Sequence, residues 1–146
     1  MPNGWRQGVY NVINKDKYIG KTKPIYRSSW EHKAMVWFDN NPDIITWASE
    51  YIVVQYISPI DCKTHNYITD FYIEYFDKNG NRKKAIIEVK PENQAAMTAK
   101  RRSKSYEAKA RVVAVNHAKW AAAKEYCETR SMDFIIMTEK AIKPIS

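Results

Sequence analysis

The chain is poor in cysteine and contains no long apolar run. Its two cysteines, Cys62 and Cys127, cannot build a disulfide framework, so reduced thiols in a cytoplasmic setting are the simpler interpretation. No run of about 18 apolar residues exists, which excludes a transmembrane helix. The first residues also lack the apolar segment of a secretory signal peptide. We therefore expect a cytoplasmic protein without a membrane-spanning segment.

Negative charge is also in short supply. Lys and Arg number 24 against 16 Asp and Glu, which gives a net charge of +8 and a pI of about 9.4. Such a balance favours a polyanionic partner, either nucleic acid or an anionic membrane surface. Hydrophobic residues make up 45% of the 146 residues, enough for one domain with a core.

Basic and aromatic residues alternate over residues 1–27. This segment is predicted to be a basic arm, which could lie on a phosphate backbone or be a loosely packed segment with solvated lysines. Residues 28–146 are predicted to form the single domain.

The patterns of that domain alternate between helix and strand. Ser28 and Glu31 have the spacing of a capping box and predict a helix start. Asn79-Gly80 predicts a tight hairpin turn. The remaining predicted elements are strands over 44–58 (kinked near Ser49-Glu50), 66–76 and 83–90, a helical region over 93–129, and a strand over 134–137. A hairpin followed by a helical crossover predicts an α/β fold with a mixed sheet flanked by helices, in the order αβββαβ.

Acidic residues in two of these strands suggest a catalytic site. Glu88 and Lys90 emerge on one face of their strand, and Asp70 lies in the strand before it. If the two strands pair, Asp70 and Glu88 can bind Mg²⁺, and the Val89 carbonyl can add an oxygen ligand. Lys90 would hold or deprotonate an attacking water, or stabilise developing negative charge.

A structural explanation competes with this one. Glu88 and Lys90 could be a charge pair on an exposed strand. Ile86 and Ile87 argue against it, because they predict a buried strand in which charges are costly without a purpose. For Glu31 the residues leave capping and metal binding equally open.

A basic run comprises Lys100, Arg101, Arg102 and Lys104. It could line a DNA groove, or it could be the solvated face of a helix.

The combined segments resemble the PD-(D/E)xK nuclease superfamily. They are Tyr26-Arg27-Ser28-Ser29-Trp30-Glu31, Tyr67-Ile68-Thr69-Asp70-Phe71 and Ile87-Glu88-Val89-Lys90-Pro91. The resemblance implies a restriction-endonuclease-like core and a Mg²⁺-dependent nuclease in which Mn²⁺ would substitute. It also implies that Glu31, Asp70, Glu88 and Lys90 are catalytic, with Glu31, Asp70, Glu88 and the Val89 carbonyl at the metal.

Two branches of the superfamily are similar to the chain: TnsA-like transposon endonucleases and head completion nucleases of T-even-type phages. The segments Asn116-His117-Ala118-Lys119-Trp120 and Phe134-Ile135-Ile136-Met137 favour the phage branch. That branch implies a DNA endonuclease acting after packaging, in the host cytoplasm or the virion, beside portal or neck proteins. The alternatives are a transposon end-cleaving subunit and a non-catalytic virion protein that binds DNA ends or the portal. A coordinated double-strand cut would require a homodimer.

Overall fold

The computed structural model describes residues 7–90 and 104–138. Predictions for residues 1–6, 91–103 and 139–146 lie outside these ranges. The described elements, in chain order, are β1 (Gly8–Val9), β2 (Ile25–Tyr26), α1 (Ser29–Asn40), β3 (Ile44–Ser49), β4 (Val53–Ile57), β5 (Thr64–Ile68), β6 (Phe71–Phe76), β7 (Arg82–Val89), α2 (Lys104–Thr129) and β8 (Asp133–Met137).

A four-stranded mixed sheet forms the centre of the fold. Its strand order is β3-β6-β7-β8, with antiparallel pairs up to β7 and a parallel pair between β7 and β8. Parallel neighbours need a crossover connection, and α2 lies in the connection between β7 and β8. Together with α1, these strands follow the predicted order αβββαβ, and the predicted mixed sheet flanked by helices is confirmed.

The two faces of this sheet bury separate cores, as the alternation along β7 requires. Ala85, Ile87 and Val89 face a core that includes Met35 and Phe38 of α1. The intervening Ile86 joins a second core, which contains Val54, Tyr56 and Tyr67 of β4 and β5 and Ala123 and Cys127 of α2.

The prediction of one strand over 44–58 and one over 66–76 is wrong. In the structure, each of these ranges is divided between two strands that belong to different sheets. β3 and β6 pair in the central sheet, whereas β4 and β5 pair as a separate two-stranded ribbon. The chain breaks at Glu50, which has a left-handed φ of 51°. Asp70 therefore lies between β5 and β6, not within a strand.

Hydrogen bonds across the break hold the two segments together. The Glu50 N–H donates to the Asp70 carbonyl at 3.0 Å, and the Thr69 N–H donates to the Ile52 carbonyl at 3.1 Å. The Thr69 hydroxyl donates to the same Ile52 oxygen at 2.7 Å, and Thr69 is fully buried. These hydrogen bonds satisfy main-chain groups that leave the sheet, so the break is a defined turn. We call this turn, formed by residues 50–52 and 69–70, the bend.

Two local predictions are confirmed. The Ser28 hydroxyl accepts a 3.1 Å hydrogen bond from the Glu31 N–H, so Ser28 caps α1. Gly80, with a φ of 79°, lies in the turn between β6 and β7, where a left-handed residue is required.

The described part of the predicted basic arm packs against the domain. β1 pairs with β2, and Tyr10 lies in the core beside α1. Asp39, which is fully buried, accepts hydrogen bonds from the Tyr10 hydroxyl at 2.7 Å, the Ile13 N–H at 2.8 Å and the Asn14 N–H at 3.1 Å. Residues 7–27 thus belong to the same packed body, and their contact with a phosphate backbone stays a prediction.

Within the described ranges, no helix has the length and apolar character needed to cross a membrane.

We expect Asp39 to stabilise the packing of residues 7–27 against the rest of the domain. Burial alone would raise the pKa of Asp39, but the hydrogen bonds from Tyr10, Ile13 and Asn14 outweigh it and lower the pKa. Asp39→Asn should lower the free energy of unfolding by about 1–3 kcal/mol at pH 7 in urea titrations. A lowered pKa gives stability that is present above the unfolded pKa of about 3.9 and is lost as the pH falls further. The difference in the free energy of unfolding between Asp39→Asn and wild type should therefore become smaller below about pH 4.

The exposed Asp43 provides the matched control, because Asp43→Asn makes the same exchange outside the core. Equal stability of the Asp39→Asn variant and wild type at pH 7 would contradict this role for Asp39.

Candidate active site

Asp70 is held at the bend, next to the end of β7. Its Oδ2 accepts a 2.8 Å hydrogen bond from the Val89 N–H. The pairing of β6 with β7, in which Phe71 lies opposite Ile87, brings the two chain segments together. The predicted convergence of Asp70 with Glu88, Val89 and Lys90 is therefore present.

Glu88 is buried, with 7% of its surface exposed, and both of its carboxylate oxygens face donors. Oε1 accepts a short hydrogen bond from the Tyr67 hydroxyl, and Oε2 lies 3.8 Å from the Lys90 Nζ. The Lys90 N–H donates to the Met137 carbonyl at 2.8 Å, which fixes the backbone of β7 against β8. The predicted alternative of an exposed charge pair does not fit this burial.

Glu31 reaches the same neighbourhood from the first turn of α1. Its Oε1 accepts a 2.9 Å hydrogen bond from the Arg27 N–H, one residue before the cap. Glu31 therefore helps to close the start of the helix. It also interacts electrostatically with Glu88 and Asp70. Glu31 therefore both helps to cap α1 and lies near Asp70 and Glu88.

The carboxylates oppose one another's ionisation. Burial and then the negative charge of Glu88 raise the pKa of Asp70 well above its ordinary value, against the lowering effect of the Val89 N–H. Burial also raises the pKa of Glu31, and the hydrogen bond from Arg27 opposes it. Like charges gathered in a buried place favour binding of a cation.

Three further residues at the site were given no role by the sequence analysis. Tyr67 bonds Glu88 from the ribbon. Burial and the charge of Glu88 raise the pKa of Tyr67 far above its usual value, so its hydroxyl stays a donor. Arg27 pairs with Glu50 at 3.1 Å beside Glu31. No sequence signal indicated these contacts, because they join residues 21 and 23 positions apart and depend on how the ribbon and the start of α1 pack against the central sheet.

The donor set fits a hard divalent cation. Within residues 7–90 and 104–138, no three His, Cys, Asp or Glu side chains are grouped closely enough to hold a metal by themselves. Mg²⁺ is commonly held by only one or two protein carboxylates, with water and phosphate as further ligands. Asp70, Glu88 and the Val89 carbonyl match that requirement. Direct ligation by Glu31 stays a prediction.

The predicted DNA-binding run lies largely outside the described residues. Lys100, Arg101 and Arg102 fall in the range 91–103, and Lys104 is the first residue of α2. Their contact with DNA stays a prediction.

Comparison with known proteins identifies the class to which this arrangement belongs. Residues 41–139 match the family described as TnsA-like endonuclease N terminal, and this range contains Asp70, Glu88 and Lys90. The chain therefore belongs to that family. It is also 33% identical over 145 residues to the head completion nuclease of Enterobacteria phage T4, with 94% of each chain covered. The predicted resemblance to TnsA-like endonucleases and to head completion nucleases of T-even-type phages is confirmed.

We expect the repulsion between neighbouring carboxylates to lower the free energy of unfolding when no cation is bound. Asp70→Asn keeps an oxygen that can accept from the Val89 N–H but removes a charge. We expect it to raise the free energy of unfolding in EDTA at pH 8 by about 0.5–2 kcal/mol, the usual range of a stabilising substitution. Carboxyl groups whose folded pKa is raised lose their stabilising effect as the pH rises through that pKa. Wild type in EDTA should therefore lose stability from about pH 4 upwards more steeply than the variant.

Urea titrations between pH 5 and pH 9 measure both effects. Asp77→Asn in the distant β6–β7 turn is the control for the loss of one aspartate charge, and it should not gain stability at pH 8. Asp70→Asn less stable than wild type across this range would contradict the electrostatic account.

Proposed function

We propose that this chain is a metal-dependent DNA endonuclease that acts in phage head completion. The observation that carries the proposal is the convergence of Asp70, Glu88 and Lys90 within the part of the chain that matches the TnsA-like family. Family membership supports endonuclease chemistry, and the donor set supports Mg²⁺ as the cofactor.

Asp70 and Glu88, with the Val89 carbonyl, would hold the cation. A divalent cation bound there supplies charge neutralisation at the phosphate and lowers the pKa of bound water. Asp70 is fixed for this role because one oxygen is bonded to the Val89 N–H, which leaves the other oxygen available. Glu31 adds negative charge at the same place.

Lys90 would act on the reacting groups. Its side chain is largely buried, and its Nζ lies 3.8 Å from Glu88, at the same place as the carboxylates. An ammonium in this position can donate hydrogen bonds to the attacking water and stabilise negative charge that develops on the phosphoryl oxygens. The pairing with Glu88 orients the side chain before substrate binds.

DNA is the substrate that the charge and the relatives favour. The net charge of +8 suits a phosphate backbone. The phage T4 relative is named a head completion nuclease and matches the chain almost from end to end. The name of that relative supports a role in head completion. Action after DNA packaging, beside portal or neck proteins, is the part of the proposal that rests on the sequence resemblance to the phage branch.

The family's name favours a second candidate, cleavage of transposon ends as a TnsA-like subunit. The full-length match to the phage protein makes head completion the stronger of the two.

Cleavage should depend on the acidic site. Purified protein incubated with supercoiled and branched DNA in Mg²⁺ or Mn²⁺ should cut, and Lys90→Ala and Asp70→Asn should each lower the cleavage rate by about 10²–10⁴-fold. Gel electrophoresis of time courses measures the rates. Lys83→Ala is the matched control, because Lys83 is an exposed lysine near the start of β7, whereas Lys90 follows the end of that strand.

Cleavage that survives both site substitutions would place the active site elsewhere. Retained DNA binding without cleavage by wild type, under every condition, would favour a non-catalytic virion protein.

A further inference from the structure

Tyr67 links the ribbon to the acidic site. It lies on the inner face of β5, opposite Val54 of β4, and only 5% of its surface is exposed. Its hydroxyl reaches across to β7, in the other sheet, and donates to Glu88 Oε1. The contact therefore depends on how the bend sets the ribbon against the central sheet.

The two partners of Glu88 restrict its carboxylate from both sides. Tyr67 bonds one oxygen, and Lys90 lies near the other. A carboxylate with a donor at each oxygen has little freedom to rotate. Outer partners of this kind set the direction in which a ligating oxygen presents its lone pairs.

The ring of Tyr67 is itself held by α2. The Lys119 Nζ lies 5.6 Å from the centroid of the Tyr67 ring and 6.0 Å from that of Tyr56. An ammonium at this distance is attracted to the face of an aromatic ring. Elements β5, β7 and α2 thus meet around one hydroxyl–carboxylate contact.

A buried tyrosine hydroxyl needs a hydrogen-bond partner, so one explanation of the contact with Glu88 is that it only stabilises the fold. Glu88 is a poor choice for that purpose, because an ionised carboxylate is itself expensive to bury. The contact is better explained by what it does to Glu88. Removing the Tyr67 hydroxyl would leave Oε1 without this donor and free to rotate.

We propose that Tyr67 is a positioning residue that orients Glu88 for binding of a divalent cation. The inference rests on the proposed function, since it assigns Glu88 to the cation. It adds a residue from the ribbon to a site otherwise built on α1, the bend and β7.

The test compares Tyr67→Phe with Tyr56→Phe. Both variants remove one hydroxyl from the inner face of the ribbon beneath Lys119, but only Tyr67 is bonded to Glu88. Isothermal titration with Mg²⁺ and with Mn²⁺, without DNA, should show about 10–100-fold weaker binding for Tyr67→Phe. Tyr56→Phe should stay within about twofold of wild type, because it leaves Glu88 and its partners in place. The Mg²⁺ concentration that half-saturates cleavage should rise in parallel for Tyr67→Phe.

Thermal unfolding identifies variants that fail to fold. If Tyr67→Phe does not fold, Lys119→Met provides the second arm, because it releases the ring and keeps every atom of Tyr67. A smaller loss of Mg²⁺ affinity in the same direction then supports the proposal, and unchanged affinity overturns it.

The outcomes separate this inference from the proposed function. Wild-type affinity in Tyr67→Phe, with wild type binding Mg²⁺ and cutting DNA, overturns the positioning role alone. Equal losses in Tyr67→Phe and Tyr56→Phe overturn it as well, because they indicate a general effect on the ribbon. A wild-type protein that binds neither Mg²⁺ nor Mn²⁺ overturns both.

Discussion

The bend between the central sheet and the ribbon is the constraint on which the rest of the site depends. Thr69 donates to the Ile52 carbonyl, and Glu50 donates to the Asp70 carbonyl. These bonds join the segment that follows β3 to the segment that precedes β6, where both leave the central sheet. Asp70 is thereby placed beside the Val89 N–H, and the ribbon is placed so that Tyr67 reaches Glu88.

The site gathers like charges in a buried place, and the fold supplies a donor to each one. Val89 bonds Asp70, Tyr67 bonds Glu88, and the Arg27 N–H bonds Glu31. These donors offset part of the cost of burial and fix the orientation of the carboxylates. They do not remove the effect of burial or the mutual repulsion, and both still raise the pKa of Asp70. The protein thus holds an unfavourable arrangement that binding of a cation would relieve.

Local patterns predicted the elements, and contacts between distant residues decided how those elements divide. Ser28, Gly80 and the Ile86-Ile87-Glu88 run each act within a few residues, so the cap, the hairpin and the buried strand could be read from the sequence. The split of residues 44–58 and 66–76 into two sheets could not, because apolar and β-branched residues continue on both sides of the break. What ends β3 is the left-handed Glu50 and its bond to Asp70, 20 positions away. The predicted hairpin brings Asp70 near Glu88 and Lys90, so the sequence predicted those residues. Tyr67 reaches Glu88 from a separate ribbon that the sequence did not predict.

The central claim is that Asp70 and Glu88 form one cation site at the end of β7. Diffraction data from crystals grown with Mn²⁺, collected at a wavelength where manganese scatters anomalously, would locate the ion directly. We expect one strong anomalous peak bonded to carboxylate oxygens of both Asp70 and Glu88, and we expect Asp70→Asn crystals to lose it. A peak bonded to other residues, with none between these two carboxylates, would contradict the account.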